Sequence, residues 1–145
     1  MLIPQMILRQ LYTNGSLKNN NSSLKFSLKN RLADATITEV KSLTINDIAI
    51  DSSRISIVFE DGESMRIKDL KRSTIPFPLR KILHILIEEL NLPEAKHKIE
   101  ISFKAEPFGT LTLKVEDSIA ADTTHILRIP RNNEDDYNVD IVGKR

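Results

Sequence analysis

Cysteine is absent from the 145 residues, which excludes disulfides and thiolate metal sites. Tryptophan is also absent and aromatic residues make up 5%, so there is little on which sugars or bases could stack. Only four glycines occur, and none falls in a GxGxxG, a GxSxG or a phosphate loop. Neither sign of charge prevails: 21 basic and 20 acidic side chains leave a net charge of +1, which gives no electrostatic case for nucleic acid. No apolar run approaches the roughly 20 residues that a membrane span needs. The opening MLIPQMILRQLY is interrupted by Pro4 and Arg9 and lacks a basic start, a long apolar stretch and a small-residue cleavage site, so it does not read as a signal peptide. These absences predict a cytoplasmic protein with no membrane or nucleic-acid partner. Without a secretory route, the Asn14-Gly15-Ser16 and Asn20-Asn21-Ser22 sequons read as polar turns.

With 40% hydrophobic and 28% charged residues, the chain has the composition of an ordinary domain, long enough to bury a core. That core must be built from Ile, Leu and Val, which favour strands. The clearest pattern runs from Lys96 to Asp117. Ile99, Ile101, Phe103 and Ala105 alternate with Lys98, Glu100, Ser102 and Lys104; after Glu106-Pro107-Phe108-Gly109, the alternation resumes with Leu111, Leu113 and Val115. Pairing Phe103 with Leu111, Ile101 with Leu113 and Ile99 with Val115 puts every apolar residue on one face, and a slip of one residue would undo this. Such a ribbon needs a second apolar layer.

Other stretches offer that layer. Met6 to Tyr12 suits a first strand, with a turn at Asn14-Gly15 and a short return over Ser16 to Asn19. The polar run from Asn19 to Ser23 is a loop, and Leu24, Phe26 and Leu28 then alternate with lysines and Ser27. Within Ala35 to Asp51, Asn46-Asp47 turns the chain so that Ile45 faces Ile48 and Leu43 faces Ile50. Pairing Phe59 with Met65 and Ile57 with Ile67 calls for a three-residue loop, Asp61 to Glu63. Leu79, Ile82, Leu83, Leu86, Ile87 and Leu90 fit a helical stripe, and Ile82 to Ile87 equally permits a buried strand. Hairpins at intervals of about 10 to 20 residues are the signature of a β-sandwich. Beyond Ser118 the alternation fades into an arm, which either frays or docks on another chain through Tyr137, Val139, Ile141 and Val142.

Candidate chemistry is sparse. His84, His97 and His125 stand apart without HxH or HExxH spacing and read as strand-edge or surface residues. Glu134-Asp135-Asp136 lacks the spacing of a calcium loop. Arg66, Lys68, Lys71 and Arg72, with Asp69 among them, read as a solvated edge. Nothing assembles a nucleophile, a base and an oxyanion site, so the residues read as a binding or structural module.

A set of short motifs in order adds to this. Gly15-Ser16-Leu17-Lys18-Asn19, Phe26-Ser27-Leu28-Lys29-Asn30, Pro76-Phe77-Pro78, Lys96-His97-Lys98-Ile99-Glu100-Ile101, Pro107-Phe108-Gly109, Glu116-Asp117-Ser118-Ile119, Ile129-Pro130-Arg131 and Asp136-Tyr137 resemble the small β subunit of bacterial C-glycoside deglycosidases. The resemblance implies an all-β chain, an antiparallel Ig-like β-sandwich built from hairpins over residues 1–127, with 79–90 contributing a strand. It implies an extended C-terminal arm over 128–145 that docks on a partner, with Arg128, Ile129, Pro130, Arg131, Asp136 and Tyr137 as interface candidates. The implied partner is a TIM-barrel α subunit that carries a divalent metal of the Mn or Mg type and the catalytic side chains, with heterodimers assembling further. This chain then holds no cofactor and no catalytic residue. The implied reaction is cleavage of the carbon-carbon bond in 3-keto C-glycosides of flavonoid-type aglycones: a C-glycoside has no leaving oxygen to protonate, whereas a C3 ketone acidifies the C2 hydrogen, a metal holds the enediolate, and the aglycone leaves by elimination. The rival expectation is a freestanding sandwich that binds carbohydrate or protein.

Overall fold

Stretches in which apolar and polar residues alternate become strands. In the computed structural model, which describes residues 3–119, these are β1 (Lys18–Asn20), β2 (Ser23–Lys29), β3 (Ala35–Ile45), β4 (Ile48–Ala49), β5 (Ile55–Phe59), β6 (Ser64–Arg66), β7 (Ile75–Phe77), β8 (Ile82–Ile87), β9 (Lys96–Glu106) and β10 (Gly109–Ser118). They form two antiparallel sheets, ordered β1-β2-β8-β5-β6 and β10-β9-β3-β4, with β7 also pairing with β3. Leu24, Phe26, Leu83, Ile85 and Ile57 from the first sheet share one buried cluster with Ile101, Phe103, Leu111, Leu113 and Leu43 from the second. The chain is an all-β sandwich, with the predicted 79–90 strand present as β8. Burying each of these side chains contributes roughly 1.5–3 kcal/mol.

The β9–β10 hairpin has the predicted register, Phe103 opposite Leu111, Ile101 opposite Leu113 and Ile99 opposite Val115. At its tip the Phe108 amide donates to the Ala105 carbonyl, and Gly109 takes φ +82°, a conformation that other residues adopt at a cost. Ile45 pairs with Ile48 across Asn46-Asp47, both at positive φ as in a type I′ turn, and the Ile50 amide bonds the Leu43 carbonyl. Ile45 is buried, but Ile48 projects past the edge of the sheet and is 68% exposed.

β3 explains an irregularity of the sequence. Its apolar residues Ile37, Val40, Leu43 and Ile45 are spaced by three, three and two. Their partners on β9 are Ala105, Phe103, Ile101 and Ile99, spaced by two throughout, because the register shifts between Ile37 and Glu39 and again between Val40 and Ser42. Each bulge absorbs one residue. Without them, strict alternation from Ile37 would turn Glu39 and Lys41 into the core.

Two expectations are corrected. Met6 to Tyr12 is not a strand: Gln5–Leu8 is a short helix, α1, continued by a 3₁₀ turn over Arg9–Leu11. Pro4 favours this by pre-setting φ at the helix start. The first hairpin is instead β1–β2, turning at Asn21-Ser22 with Asn21 at φ +60°. Between β5 and β6, Ile57 faces Met65 and the Phe59 amide reaches the Glu63 carbonyl, so the loop is Glu60 to Gly62. That is two residues away from the predicted pairing, a shift that leaves every side chain on the same face, and Ile67 instead opens a 3₁₀ helix with Leu70 buried.

Leu43 is a core residue in either register, and the bulges are what keep Lys41 on the surface. Leu43→Ala should cost about 2–5 kcal/mol and Lys41→Ala no more than about 0.5 kcal/mol, read from urea unfolding midpoints. Comparable losses at both positions would contradict the bulges.

Candidate interaction surfaces

The segment ahead of β1 closes one side of the sandwich. Gln5 accepts from the Lys114 amide at 3.3 Å and donates to the Thr112 carbonyl, while Arg9 Nε donates to the Lys114 carbonyl at 3.0 Å. These side chains occupy the open edge of β10, which would otherwise offer free amides and carbonyls to another strand. Further on, Tyr12 bridges to Leu28, the Thr13 amide donates to the Ser27 carbonyl, and Ser16 Oγ accepts from the Ser27 amide at 3.0 Å. The segment therefore starts on β10 of one sheet and ends on β2 of the other. Asp117 secures it: one carboxylate oxygen accepts from Tyr12 Oη at 2.6 Å, the Gly15 amide at 2.9 Å and the Leu17 amide at 3.3 Å. Tyr12 is 2% exposed, and burial, followed by the Asp117 hydrogen bond, pushes its phenol well above the usual tyrosine range.

Asn30 plays the same part at the end where β2 leaves its sheet. The side chain is buried and fully used: Oδ1 accepts from the Leu32 and Ala33 amides, and Nδ2 donates to the Ala33 and Phe77 carbonyls at 2.7 and 2.6 Å. Its backbone takes the Arg80 amide and gives to the Lys81 carbonyl. Asn30, Phe77 and Phe108, each from a different motif, border one apolar cleft of about 10 Å³, room for a single water at most.

The histidines differ from expectation. His97 is no surface residue; it is 5% exposed, its Nε2 donates to the Pro93 carbonyl at 2.8 Å, and its Nδ1 accepts from Asn46 Nδ2 at 3.0 Å. Asn46 Oδ1 in turn accepts from the Lys98 amide at 2.9 Å, which fastens the β3–β4 turn to the start of β9. Neither ring nitrogen of His97 is left for a ligand. His84 lies on the central strand β8 rather than at an edge, half-buried, with Nδ1 2.7 Å from Ser27 Oγ. Burial, then the Lys25 ammonium, hold its imidazole below the usual histidine value, with Glu60 opposing. The serine and histidine lie on a flat sheet face whose amides serve strand pairing, so no oxyanion site adjoins them. His125 lies outside the described residues.

An open groove of about 620 Å³ runs along the outer face of β9 and β10, between Arg9 and Asn14 on one side and Thr44 and Asp47 on the other. Its charges cancel locally: Lys98 Nζ meets Asp47 at 2.8 Å, which raises the lysine above its ordinary value, and Lys96 meets Glu116 at 3.8 Å. Exposed pairs of this kind contribute little to stability. Arg66 of the basic cluster pairs with Glu88 at 3.2 Å and donates to the Ser53 carbonyl, as expected of a solvated edge. Among the described residues no three His, Cys, Asp or Glu side chains stand together as a metal site, and no helix is long and apolar enough to cross a membrane. Arg128, Ile129, Pro130, Arg131, Asp136, Tyr137 and the acidic triplet at 134–136 lie outside the described residues, as does the domain boundary at 127/128.

Comparison with known proteins gives one family. The model described as Hydroxymethylglutaryl-CoA reductase, N-terminal domain, matches residues 7–120, a span that holds all ten strands. Among solved structures, the apo PmoF2 PCuAC domain is similar at 12% identity, covering 76% of this chain and 94% of that one with a TM-score of 0.40. No curated protein matches the chain.

The lowered value of His84 makes stability depend on pH in a defined direction. The unfolded chain protonates His84 at higher pH than the folded chain does. Stability is therefore full above the ordinary histidine value of about 6.5 and falls as pH drops below it. His84→Gln should flatten that part of the curve, measured as urea midpoints between about pH 5 and 7.5. An unchanged slope would contradict the assignment.

Proposed function

We propose that this chain, which belongs to the hydroxymethylglutaryl-CoA reductase N-terminal domain family, is the non-catalytic β subunit of a cytoplasmic, heteromeric C-glycoside deglycosidase. The observation that carries the reading is how the ordered motifs meet. Gly15 and Leu17 of the first motif bond Asp117 of the sixth, Ser16 bonds Ser27 of the second, and Asn30 of the second bonds Phe77 of the third. Motifs scattered over a hundred residues thus serve one frame, which supports a likeness of whole folds over a coincidence of short strings. In this reading the metal and the groups that take the C2 proton and release the aglycone belong to a TIM-barrel partner. The described residues offer no set of ligands for that metal, and no step of the reaction is assigned to them. This chain contributes surface that the partner buries, with Arg128 to Tyr137 reaching across to it.

The family description favours a second reading, an all-β domain that accompanies a hydroxymethylglutaryl-CoA reductase. Both readings have this unit serve chemistry carried elsewhere, and the substrate separates them.

The test is light scattering after gel filtration of the chain alone and co-expressed with the product of the neighbouring reading frame, followed by assay with a 3-keto C-glucoside. A stoichiometric complex that cleaves the substrate, when neither chain does so alone, is expected. Removal of residues 119–145 should weaken assembly by about tenfold or more, roughly 1.4 kcal/mol, and lower the stability of this domain by less, through loss of the Ile119 packing and its amide bond to the Ala95 carbonyl; equal assembly by both forms would dispose of the arm as a docking element. A lone chain that ignores the barrel protein, or a complex that acts only on hydroxymethylglutaryl-CoA, would overturn the proposal.

A further inference from the structure

The outer faces of the two sheets are built differently. On the β9–β10 side, three of the four lysines meet a carboxylate, Lys98 with Asp47, Lys96 with Glu116 and Lys104 with Glu106, and Lys114 makes no ion pair among the described residues. The outer face of the other sheet follows from its register. Across one row run Lys18, Lys25, Leu86, Ser56 and Arg66; across the next, Ser27, His84, Val58 and Ser64; and in the third, Lys29 stands beside Ile82. The column down β8 is thus Leu86, His84 and Ile82, with Val58 alongside, all half-buried, and Ser56 beside Leu86 buried. Outward-facing residues on a solvated sheet are normally polar. On one flank, Lys18, Lys25 and Lys29 form a basic rail in which none makes an ion pair among the described residues, and only Arg66, on the far flank, is neutralised, by Glu88.

We propose that this face, an apolar column beside an uncompensated lysine rail, docks the catalytic partner on a surface that presents an apolar ridge flanked by carboxylates. The inference rests on the subunit reading above and adds to it which face is buried and what it meets. Charge complementarity selects the occupant: three lysines along one side call for carboxylates, and Ile82, Leu86 and Val58 call for aliphatic contact rather than water. Nucleic acid fits less well, since the face carries no aromatic side chain for stacking and the chain as a whole is nearly neutral.

The experiment titrates the TIM-barrel protein into the full chain and into three variants, with thermal unfolding confirming that each folds. Lys25→Glu/Lys29→Glu should weaken binding by about tenfold or more at low salt, with the deficit shrinking near 0.5 M salt, where the screening length falls to a few ångströms. Leu86→Gln should weaken binding by a similar factor at either salt concentration, through faster dissociation. Lys104→Glu/Lys114→Glu, on the opposite sheet, should bind as the unaltered chain does. Wild-type affinity in the first two variants, or loss only in the third, would overturn this face as the docking site and leave the subunit reading standing. Self-association of the chain through this face in place of the heterocomplex would also overturn it. If the unaltered chain forms no complex, both fall together.

Discussion

A single carboxylate does most to close this sandwich. Asp117, next to last in β10 of one sheet, accepts from Tyr12, Gly15 and Leu17 in a segment that reaches the other. Hydrogen bonds to a charged acceptor contribute about 1.5–3 kcal/mol each, and a buried donor left without one costs about as much. The N-terminal segment would be a poor structure by itself, with a one-turn helix and a 3₁₀ turn; it is held because Gln5 and Arg9 satisfy the β10 edge while Asp117 holds the far end. Leu8, Leu11, Tyr12 and Leu17 can then fill the side of the core. Asn30 and His97 act in the same manner elsewhere, each a buried polar side chain tying a connection to a strand.

What could be read from the sequence follows from how regular each strand is. The β9–β10 register was legible because both arms alternate without interruption, so a slip would have exposed one face and buried charge on the other. β3 was not, because its two bulges spread apolar residues three apart and remove the period that marks a strand. β8 resembled a helix for a physical reason: Leu83, Ile85 and Ile87 face the core, and Ile82 and Leu86 on the other side are apolar too, so spacings of one and four appear together. Met6-Ile7-Leu8 misled in the opposite direction, since a short apolar run carries no period at all. Nothing in the local sequence marks Asp117, Asn30 or His97 as a polar hub. Their role rests on partners up to about a hundred residues away, which local pattern cannot supply.

For function, the division of labour follows the same structural economy. Asp117, Asn30, Ser16 and His97 are each spent on holding the frame. That leaves the outer faces to deal with other molecules. One of them balances its own charges, and the other keeps an apolar column and a lysine rail open. In the proposed subunit role, those outer faces are the surfaces left to meet the partner.

The most direct test of that division is a double-mutant cycle of Tyr12→Phe and Asp117→Asn, measured both in unfolding free energy and in affinity for the proposed barrel partner. The account predicts a coupling of about 1–3 kcal/mol in stability and essentially none in affinity. Coupling in affinity with none in stability would show that these residues form the working surface, and would contradict the account.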